Sequence, residues 1–210
     1  YKRALFVLYE DGTVGCLQQY NKPATPVPGT GGESVLTADE LCGAFSEATG
    51  KANNNPYLMH LVVRKGSDYF LYVYNAKSNT SANDPLTLKT VVPIPAEVGR
   101  EAAVWFGAFS TRYGFYVVGN RIMKFDYLNI TQFAPEEKPF RLYDDKYEIV
   151  DVFVLIGGTG LKDQDDCTVV YLYDREKKTT TIDVYNTLTG EDLHTYEDIL
   201  PGRGVDFIKK

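Results

Sequence analysis

Several residue types that carry catalysis are scarce in this chain of 210 residues. It has two histidines, two methionines, three cysteines and one tryptophan. His60 and His194 lie in no HxxH or HExxH pattern, so neither is expected to bind a metal or to serve in a catalytic triad. A GxSxG elbow, which would present a nucleophilic serine, is also missing. The sequence therefore indicates neither an enzyme nor a cofactor.

Basic residues are outnumbered by acidic ones. The chain has 22 Lys and Arg against 28 Asp and Glu, for a formal net charge of −6. A nucleic-acid partner requires a basic surface that neutralises phosphates. The basic clusters, Arg175–Lys178 and Lys209–Lys210, are short and are interpreted as solvated turns. We therefore expect no nucleic-acid partner.

Long apolar runs are absent as well. The sequence contains no stretch of 18 apolar residues and no signal peptide. It starts nevertheless at Tyr1, inside an apolar run and without an initiator methionine. We therefore expect the segment that targets the protein to lie upstream of this sequence.

Neither the cysteines nor the acidic residues form a complete metal site. Cys16, Cys42 and Cys167 are widely spaced, and we expect small buried apolar side chains, although the sequence also permits one disulfide. The acidic run 163–166 offers oxygen ligands for calcium but lacks the distal glutamate of a calcium loop. Its candidate ligands are Asp163, Asp165 and Asp166. A solvated acidic loop is the favoured interpretation.

Aromatic residues are plentiful, with 16 tyrosines and 11 phenylalanines. Such side chains pack well on a pleated, half-buried surface, so the composition favours strands. An aromatic residue followed by Asn or Asp recurs four times, at intervals of 54, 51 and 60 residues. The four steps are Tyr20-Asn21, Tyr74-Asn75, Phe125-Asp126 and Tyr185-Asn186. A period of about 55 residues is close to the length of a four-stranded propeller blade with generous loops.

Each aromatic step closes a predicted β-hairpin. The turns between the paired strands are Asp11-Gly12, Lys65-Gly66, Gly119-Asn120 and the looser Asp174–Lys178. Glycine and asparagine tolerate the positive φ of tight hairpin turns. The predicted hairpins are Ala4–Tyr9 with Val14–Tyr20, Leu58–Arg64 with Asp68–Tyr74, Gly114–Val118 with Arg121–Phe125, and Thr168–Tyr173 with Thr179–Tyr185.

Two kinds of segment flank the hairpins. The runs 104–110 and 149–156 are almost continuously apolar and are predicted to be inner strands buried on both faces. Residues Thr37–Glu40 match a capping box, and the apolar residues that follow share one helical face. We therefore predict a short helix over about 38–48.

Together these features predict an all-β, β-propeller-like domain over 1–210 with about four blades of antiparallel strands. The repeats span about 1–33, 55–95, 102–143 and 147–200. The strand-like segment 204–209 is predicted to supply the inner strand that the first repeat lacks, because that arrangement removes an exposed edge. Either the four blades close a ring or they belong to a larger propeller.

Some aromatic residues are expected at the surface. Exposed Tyr and Trp suit contacts with proteins or sugars, since they offer rigid apolar area with a polar tip. The candidate ligand-binding cluster is Trp105, Arg112 and Tyr113. The acidic pair Asp144-Asp145, between Tyr143 and Tyr147, is interpreted as a turn.

The second half of the chain resembles a known family. The stretch Phe115–Tyr127 and the ending Pro201–Phe207 are similar to the propeller region of PKD-like lipoproteins of Bacteroidetes, although the usual ending is closer to GFGKIVD. The hairpin 114–126 also resembles a hemopexin repeat. The first resemblance implies an exported protein at the outer-membrane surface or in the periplasm, held by a lipid anchor upstream of this chain. It implies no catalytic residue.

The expected function is thus a noncatalytic binding or structural module, with a glycan or a protein as partner. The alternative is a propeller enzyme that hydrolyses glycosides with two carboxylates, which must lie a few ångström apart. The sequence does not identify such a pair.

Overall fold

The predicted all-β class is confirmed by a computed structural model of the chain. Its strands form four antiparallel sheets of three or four strands each, and one short helix accompanies them. The structure describes residues 5–17, 22–47, 57–76, 86–107, 113–127, 130–155 and 166–203. The predicted closing strand, 204–209, lies outside the described residues.

The chain divides into two compact units, and the first contains sheets 1 and 2. This unit comprises Tyr1–Arg100 and Ile130–Phe133. Sheet 1 has the order β1-β2-β3, and sheet 2 has the order β4-β5-β6-β7. The strands are β1 Leu5–Leu8, β2 Val14–Leu17, β3 Thr25–Pro26, β4 Glu40–Glu47, β5 Tyr57–Lys65, β6 Asp68–Ala76 and β7 Thr87–Ile94. Val14 and Cys16 of sheet 1 share a buried core with Leu61 and Tyr74 of sheet 2.

The second unit contains sheets 3 and 4. It comprises Glu101–Asn129 and Ala134–Lys210. Sheet 3 has the order β11-β10-β9-β8, and sheet 4 has the order β12-β13-β14-β15. The strands are β8 Val104–Gly107, β9 Tyr113–Val118, β10 Arg121–Asp126, β11 Arg141–Leu142, β12 Tyr147–Leu155, β13 Cys167–Asp174, β14 Thr179–Asn186 and β15 Asp192–Pro201. Phe115 and Ile122 of sheet 3 share a core with Val170 and Tyr185 of sheet 4.

All four predicted hairpins are confirmed. The pairs β1–β2, β5–β6, β9–β10 and β13–β14 are each antiparallel. The turn glycines Gly12, Gly66 and Gly119 have φ values of 83°, 62° and 60°. These left-handed conformations cost glycine little, which explains why the turn signal was readable in the sequence.

The helix predicted over 38–48 is wrong, because residues 40–47 form strand β4. The residues of the apparent capping box have other partners: the backbone of Thr37 forms a β-bridge with Thr13, and the Asp39 carboxylate accepts a 2.6 Å hydrogen bond from the N–H of Gly66. Pairing with β4 also satisfies the backbone of one side of β5. This long-range ladder outweighs the local helical signal.

A β-bulge explains why β4 looked helical. The register of β4 on β5 shifts between Leu41 and Gly43, so Cys42 is an extra residue. Leu41 opposes Val63, whereas Phe45 opposes His60, which lies on the other face of β5. One inserted residue reverses the faces beyond it. The two apolar side chains, four residues apart, therefore mark opposite faces of a bulged strand.

A helix occurs instead at α1, Ala96–Glu101. Pro95 precedes it, Glu97 lies in its first turn and Arg100 in its last turn. Proline at the start and charges that complement the helix dipole are typical of helix ends. These signals were present in the sequence, and the prediction missed them.

Strand β12 is not buried on both faces as predicted. Its buried positions include Ile149 and Val152, whereas Phe153 and Leu155 are exposed. An apolar run indicates a strand, but exposure depends on what packs against each face. The other predicted inner strand is described only over β8, and 108–112 lie outside the described residues.

Sheets 2 and 4 repeat the same irregularities. The first strand of each carries a bulge near its start, between Leu41 and Gly43 and between Ile149 and Asp151. The last strand pair of each shifts register at the aromatic step, at Val73/Tyr74 and at Val184/Tyr185. Because bulges are specific features of a strand, this agreement indicates two copies of one sheet design.

The chain leaves three of the sheets in a common way. After the last strand of each sheet, a backbone N–H donates to the turn of the predicted hairpin. The pairs are Ala38 to Gly12 in sheet 1 at 2.8 Å, Tyr143 to Asn120 in sheet 3 at 3.0 Å, and Gly202 to Lys178 in sheet 4 at 2.8 Å. In sheets 1 and 3 this connection leads into the first strand of the next sheet.

Candidate functional site

A polar cleft of about 270 Å³ lies where three loops of the second unit meet. It is formed by the β9–β10 turn, the loop between β11 and β12, and the β13–β14 turn. The cleft is lined by Gly119, Asn120, Asp145, Tyr147, Glu148 and Arg175. Loops on a rigid sheet scaffold are a common location for binding residues.

Asn120 anchors one wall of the cleft. Its side-chain amide donates to the carbonyl of Tyr143 at 2.7 Å and to the Asp145 carboxylate at 3.0 Å. The carbonyl of Asn120 also accepts from the N–H of Tyr143. These bonds attach the β9–β10 turn to the following loop, and they fix the position of Asp145.

Glu148 and Arg175 form another wall of the cleft, and Arg203 supports Glu148. Arg203 donates to the Glu148 carboxylate, and Arg175 lies 3.8 Å from it. Arg175 also donates to the carbonyl of Asp145 at 3.2 Å. The side chains of this wall are partly exposed, so water competes for their hydrogen bonds. A ligand with hydroxyl or amide groups is therefore able to replace one of the hydrogen-bond partners.

Charges beside the cleft are paired. Lys146 lies 4.8 Å from the ring centre of Tyr147 and 3.6 Å from the Asp174 carboxylate. Tyr147, and then Asp174, raise the pKa of Lys146. The N–H groups of Lys177 and Glu176 lower the pKa of Asp174. The cleft and its border therefore carry charges of both signs.

A second concave surface lies at the β1–β2 turn of the first unit. It encloses about 730 Å³ and is lined by Leu8, Tyr9, Glu10, Asp11 and Thr13. The Asp11 carboxylate accepts from the N–H and the hydroxyl of Thr13, which lowers the pKa of Asp11. A single hairpin forms this surface, so it is wide and shallow and offers a weaker case for a site than the three-loop cleft.

The predicted surface cluster is described at two of its three residues. Trp105 is only 5% exposed and stacks on Tyr116 at 5.0 Å, so its expected surface position is wrong. It belongs to the aromatic packing of sheet 3, where Phe125 also meets its ring edge. Tyr113 is half-buried, with Lys124 4.5 Å from its ring centre. Arg112 lies outside the described residues.

The acidic metal candidates are only partly described. Asp166 is buried, and its carbonyl accepts from the N–H of Thr187. Asp163 and Asp165 lie outside the described residues, so the calcium-loop hypothesis stays a prediction. Across the described ranges, no group of three or more His, Cys, Asp or Glu side chains is arranged to hold a metal ion.

The histidines and cysteines are structural in their surroundings. His60 is fully buried and stacks on Phe45 at 4.7 Å, whereas His194 is exposed in β15. Of the cysteines, Cys16 is buried as predicted, while Cys42 and Cys167 are half-buried, and no disulfide joins them. Burial raises the pKa of Cys16 and of Cys42 to about 11, which disfavours the reactive thiolate.

Partial signals for the cleft were present in the sequence. The Asp144-Asp145 turn and the Gly119-Asn120 turn were both recognisable, but only as turns. Their meeting depends on the packing of sheets 3 and 4, which no local pattern records.

Among the described residues, no helix has the length and apolar character to cross a bilayer.

Comparison with protein-family models gives no match for this chain. Comparison with curated proteins likewise gives no match.

Proposed function

We propose that this chain is a propeller-like, noncatalytic binding module whose ligand occupies the three-loop cleft. The cleft carries the proposal, because it brings donors, acceptors and an aromatic side chain together at the loop end of two packed sheets. Its ligand is a short polar one, and a glycan fits best, since neutral sugars present many hydroxyls to alternating donors and acceptors.

The repeated sheet design supports the propeller architecture. Four antiparallel sheets of similar strand order follow one another, and two of them share the same bulges. The N–H of Gly202 makes the connection that precedes a new first strand in sheets 1 and 3. Among the described residues, sheet 1 has three strands and each other sheet has four. We therefore propose that 204–209 supplies its fourth strand, as a propeller requires.

Glycan binding is tested with Arg175→Ala and Asn120→Ala. A glycan array identifies the ligand, and calorimetry then measures its dissociation constant. Each substitution is expected to weaken binding by about tenfold, which corresponds to the loss of one or two hydrogen bonds. Lys177→Ala is the matched control, because Lys177 lies in the same turn but pairs with Asp198 and does not line the cleft.

The outcomes of this experiment are distinct. Glycan binding that weakens in both cleft variants but not in the control supports the proposal. Equal weakening in the control, or no ligand on the array, contradicts a glycan site in this cleft. Binding of a protein with the same dependence on Arg175 would replace the glycan by a protein ligand.

One observation supports the alternative function, a glycoside hydrolase. Asp145 and Glu148 line the same cleft, and such enzymes need two carboxylates around the scissile bond. Turnover of a chromogenic glycoside that is abolished by Glu148→Gln, with binding retained, would favour this alternative. The ion pairs of Glu148 with Arg175 and Arg203 instead suit a positioning role.

We further propose an exported location, at the outer-membrane surface or in the periplasm. The resemblance to PKD-like lipoproteins supports it. The gene sequence upstream of Tyr1 provides the test, since a lipoprotein signal and PKD-like modules are expected there. An upstream region without any export signal would contradict the location and leave the cleft proposal intact.

A further inference from the structure

One carboxylate at the cleft faces two arginines. Glu148 lies near the start of β12, and Nη2 of Arg203 donates to its Oε1 atom. The second oxygen, Oε2, lies 3.8 Å from Nη2 of Arg175. Hydrogen bonds between a guanidinium and a carboxylate are usually about 2.7 to 2.9 Å long. Arg203 is therefore paired with Glu148, whereas Arg175 lies about 1 Å beyond bonding distance.

The chain after β15 holds Arg203 in this position. Glu148, Tyr173 and Thr180 pair across neighbouring strands, so their side chains share one face of sheet 4. Gly202 is fixed beside this row, because its carbonyl accepts from the Thr180 hydroxyl at 2.7 Å. From there the Arg203 guanidinium lies 5.7 Å from the centre of the Tyr173 ring and reaches Glu148. The strand ladder of sheet 4 thus sets this ion pair.

Arg175 is held at the cleft by other bonds. Its backbone N–H donates to the carbonyl of Lys146 at 2.9 Å, and Nη1 donates to the carbonyl of Asp145 at 3.2 Å. These bonds fix where the side chain leaves the β13–β14 turn, at the wall of the cleft. A guanidinium carries five N–H donors. The nitrogen that faces Glu148, Nη2, therefore lies at the cleft without a close bond to this carboxylate.

We infer that Arg203 is a positioning residue of the cleft, which occupies Glu148 and thereby leaves the Arg175 guanidinium available to a ligand. This inference rests on the proposed binding function. Without Arg203, the Glu148 carboxylate loses its close partner, and Arg175 needs to move only about 1 Å to pair with it. The donors of Arg175 are then engaged within the protein. A ligand must displace Glu148 from them before it binds.

Phenylglyoxal, which modifies accessible guanidinium groups, tests the inference without a ligand. Peptide mass spectrometry measures the rate of modification at Arg175. Arg203→Ala should slow this rate by about two- to fivefold, the range that an exposed ion pair supports. In a Glu148→Ala background the same substitution should have no effect, because the competing carboxylate is gone. Lys177→Ala is the charge-matched control, since Lys177 pairs with Asp198.

Ligand affinity provides the second measurement. For the glycan that the array identifies, calorimetry should show about two- to fivefold weaker binding in Arg203→Ala. Adding Arg203→Ala to Glu148→Ala should weaken binding no further, because the effect of Arg203 acts through Glu148. Arg203→Lys keeps a positive charge near Glu148 and should retain most of the affinity.

The outcomes separate this inference from the proposed function. Slower modification in Arg203→Ala that disappears in the Glu148→Ala background supports the inference. An unchanged rate, the same slowing in both backgrounds, or equal slowing in Lys177→Ala overturns it. A glycan whose affinity does not depend on Arg203 also overturns it. If the array yields no ligand while the modification rates change as expected, the positioning of Arg175 is supported and the proposed function fails.

Discussion

Gly99 shows at the scale of one residue how packing sets the identity of a side chain. It is the buried residue of α1, and a β-carbon there would overlap the ring of Tyr69. Alanine in place of glycine within a helix ordinarily stabilises by about 1 kcal/mol. Here the close approach of the Tyr69 ring makes the same substitution destabilising.

We predict that Gly99→Ala lowers the free energy of unfolding by about 1 to 3 kcal/mol, the usual cost of overpacking. Urea denaturation measures the change. In a Tyr69→Ala background the loss should shrink, because the ring that the methyl group meets is gone. A Gly99→Ala protein as stable as the parent would show that the Tyr69 ring moves aside at little cost.

His60 is the second residue with a predicted consequence. Burial, with a smaller contribution from Lys89, lowers the pKa of His60 to about 3, and a backbone hydrogen bond with Phe45 opposes this. In the unfolded chain the pKa is about 6.5. The unfolded state therefore binds the extra proton between these values, and stability falls as the pH falls from about 6.5 toward 3.

His60→Phe should remove this acid sensitivity. One such group changes the free energy of unfolding by about 1.4 kcal/mol per pH unit. This amounts to about 2 kcal/mol between pH 6.5 and pH 5. Urea unfolding at pH 7 and pH 5 measures it. His194→Gln, which changes the exposed histidine, should keep the pH dependence of the parent. An unchanged slope in His60→Phe would assign the acid sensitivity to other groups.

At the scale of elements, a buried ion pair joins β11 to β14. Arg141 lies 2.7 Å from the Asp183 carboxylate, which also accepts from the hydroxyls of Tyr143 at 2.6 Å and Thr195 at 3.0 Å. Burial alone would lower the pKa of Arg141, but Tyr143, Asp192 and Asp183 raise it overall. The guanidinium therefore stays charged at the junction of sheets 3 and 4.

Asp183→Ala is expected to cost about 3 to 5 kcal/mol, because it leaves the Arg141 charge without its buried partner. The matched control is Asp192→Ala. Its carboxylate lies 2.6 Å from the same guanidinium but is 71% exposed, so the loss should stay below about 1 kcal/mol. Thermal or urea denaturation measures both. Equal losses of stability in the two variants would show that solvent exposure does not determine the difference between the two ion pairs.

At the scale of the whole molecule, the proposed closing strand makes a prediction about β1. Strand β1 is an edge of sheet 1, and its Leu5 is exposed. If 204–209 pairs with it, deletion of 204–210 should lower the amide hydrogen-exchange protection of β1 and leave that of β6 largely unchanged. Deletion of Lys210 alone is the control. Unchanged protection of β1 after the longer deletion would contradict the closing strand.

The four hairpins and their turns were predictable, because their signals are local. Glycine and asparagine at the turns and the recurring aromatic step lie within a few residues of the structure that they specify. The predicted helix failed for the opposite reason. The strand state of β4 depends on pairing with β5, and the bulge at Cys42 hid its alternation behind a helical spacing.

The sequence alone thus determined the all-β class and the strand pairs that are adjacent in the chain, since turn chemistry and side-chain periodicity act over short distances. Only the tertiary structure decided which aromatic residues are buried, that Asn120, Asp145 and Arg175 meet in one cleft, and that the residues of β15 are exposed whereas β7 buries some of its own. These features depend on the faces that packed sheets present to one another, and burial and electrostatics follow from that packing.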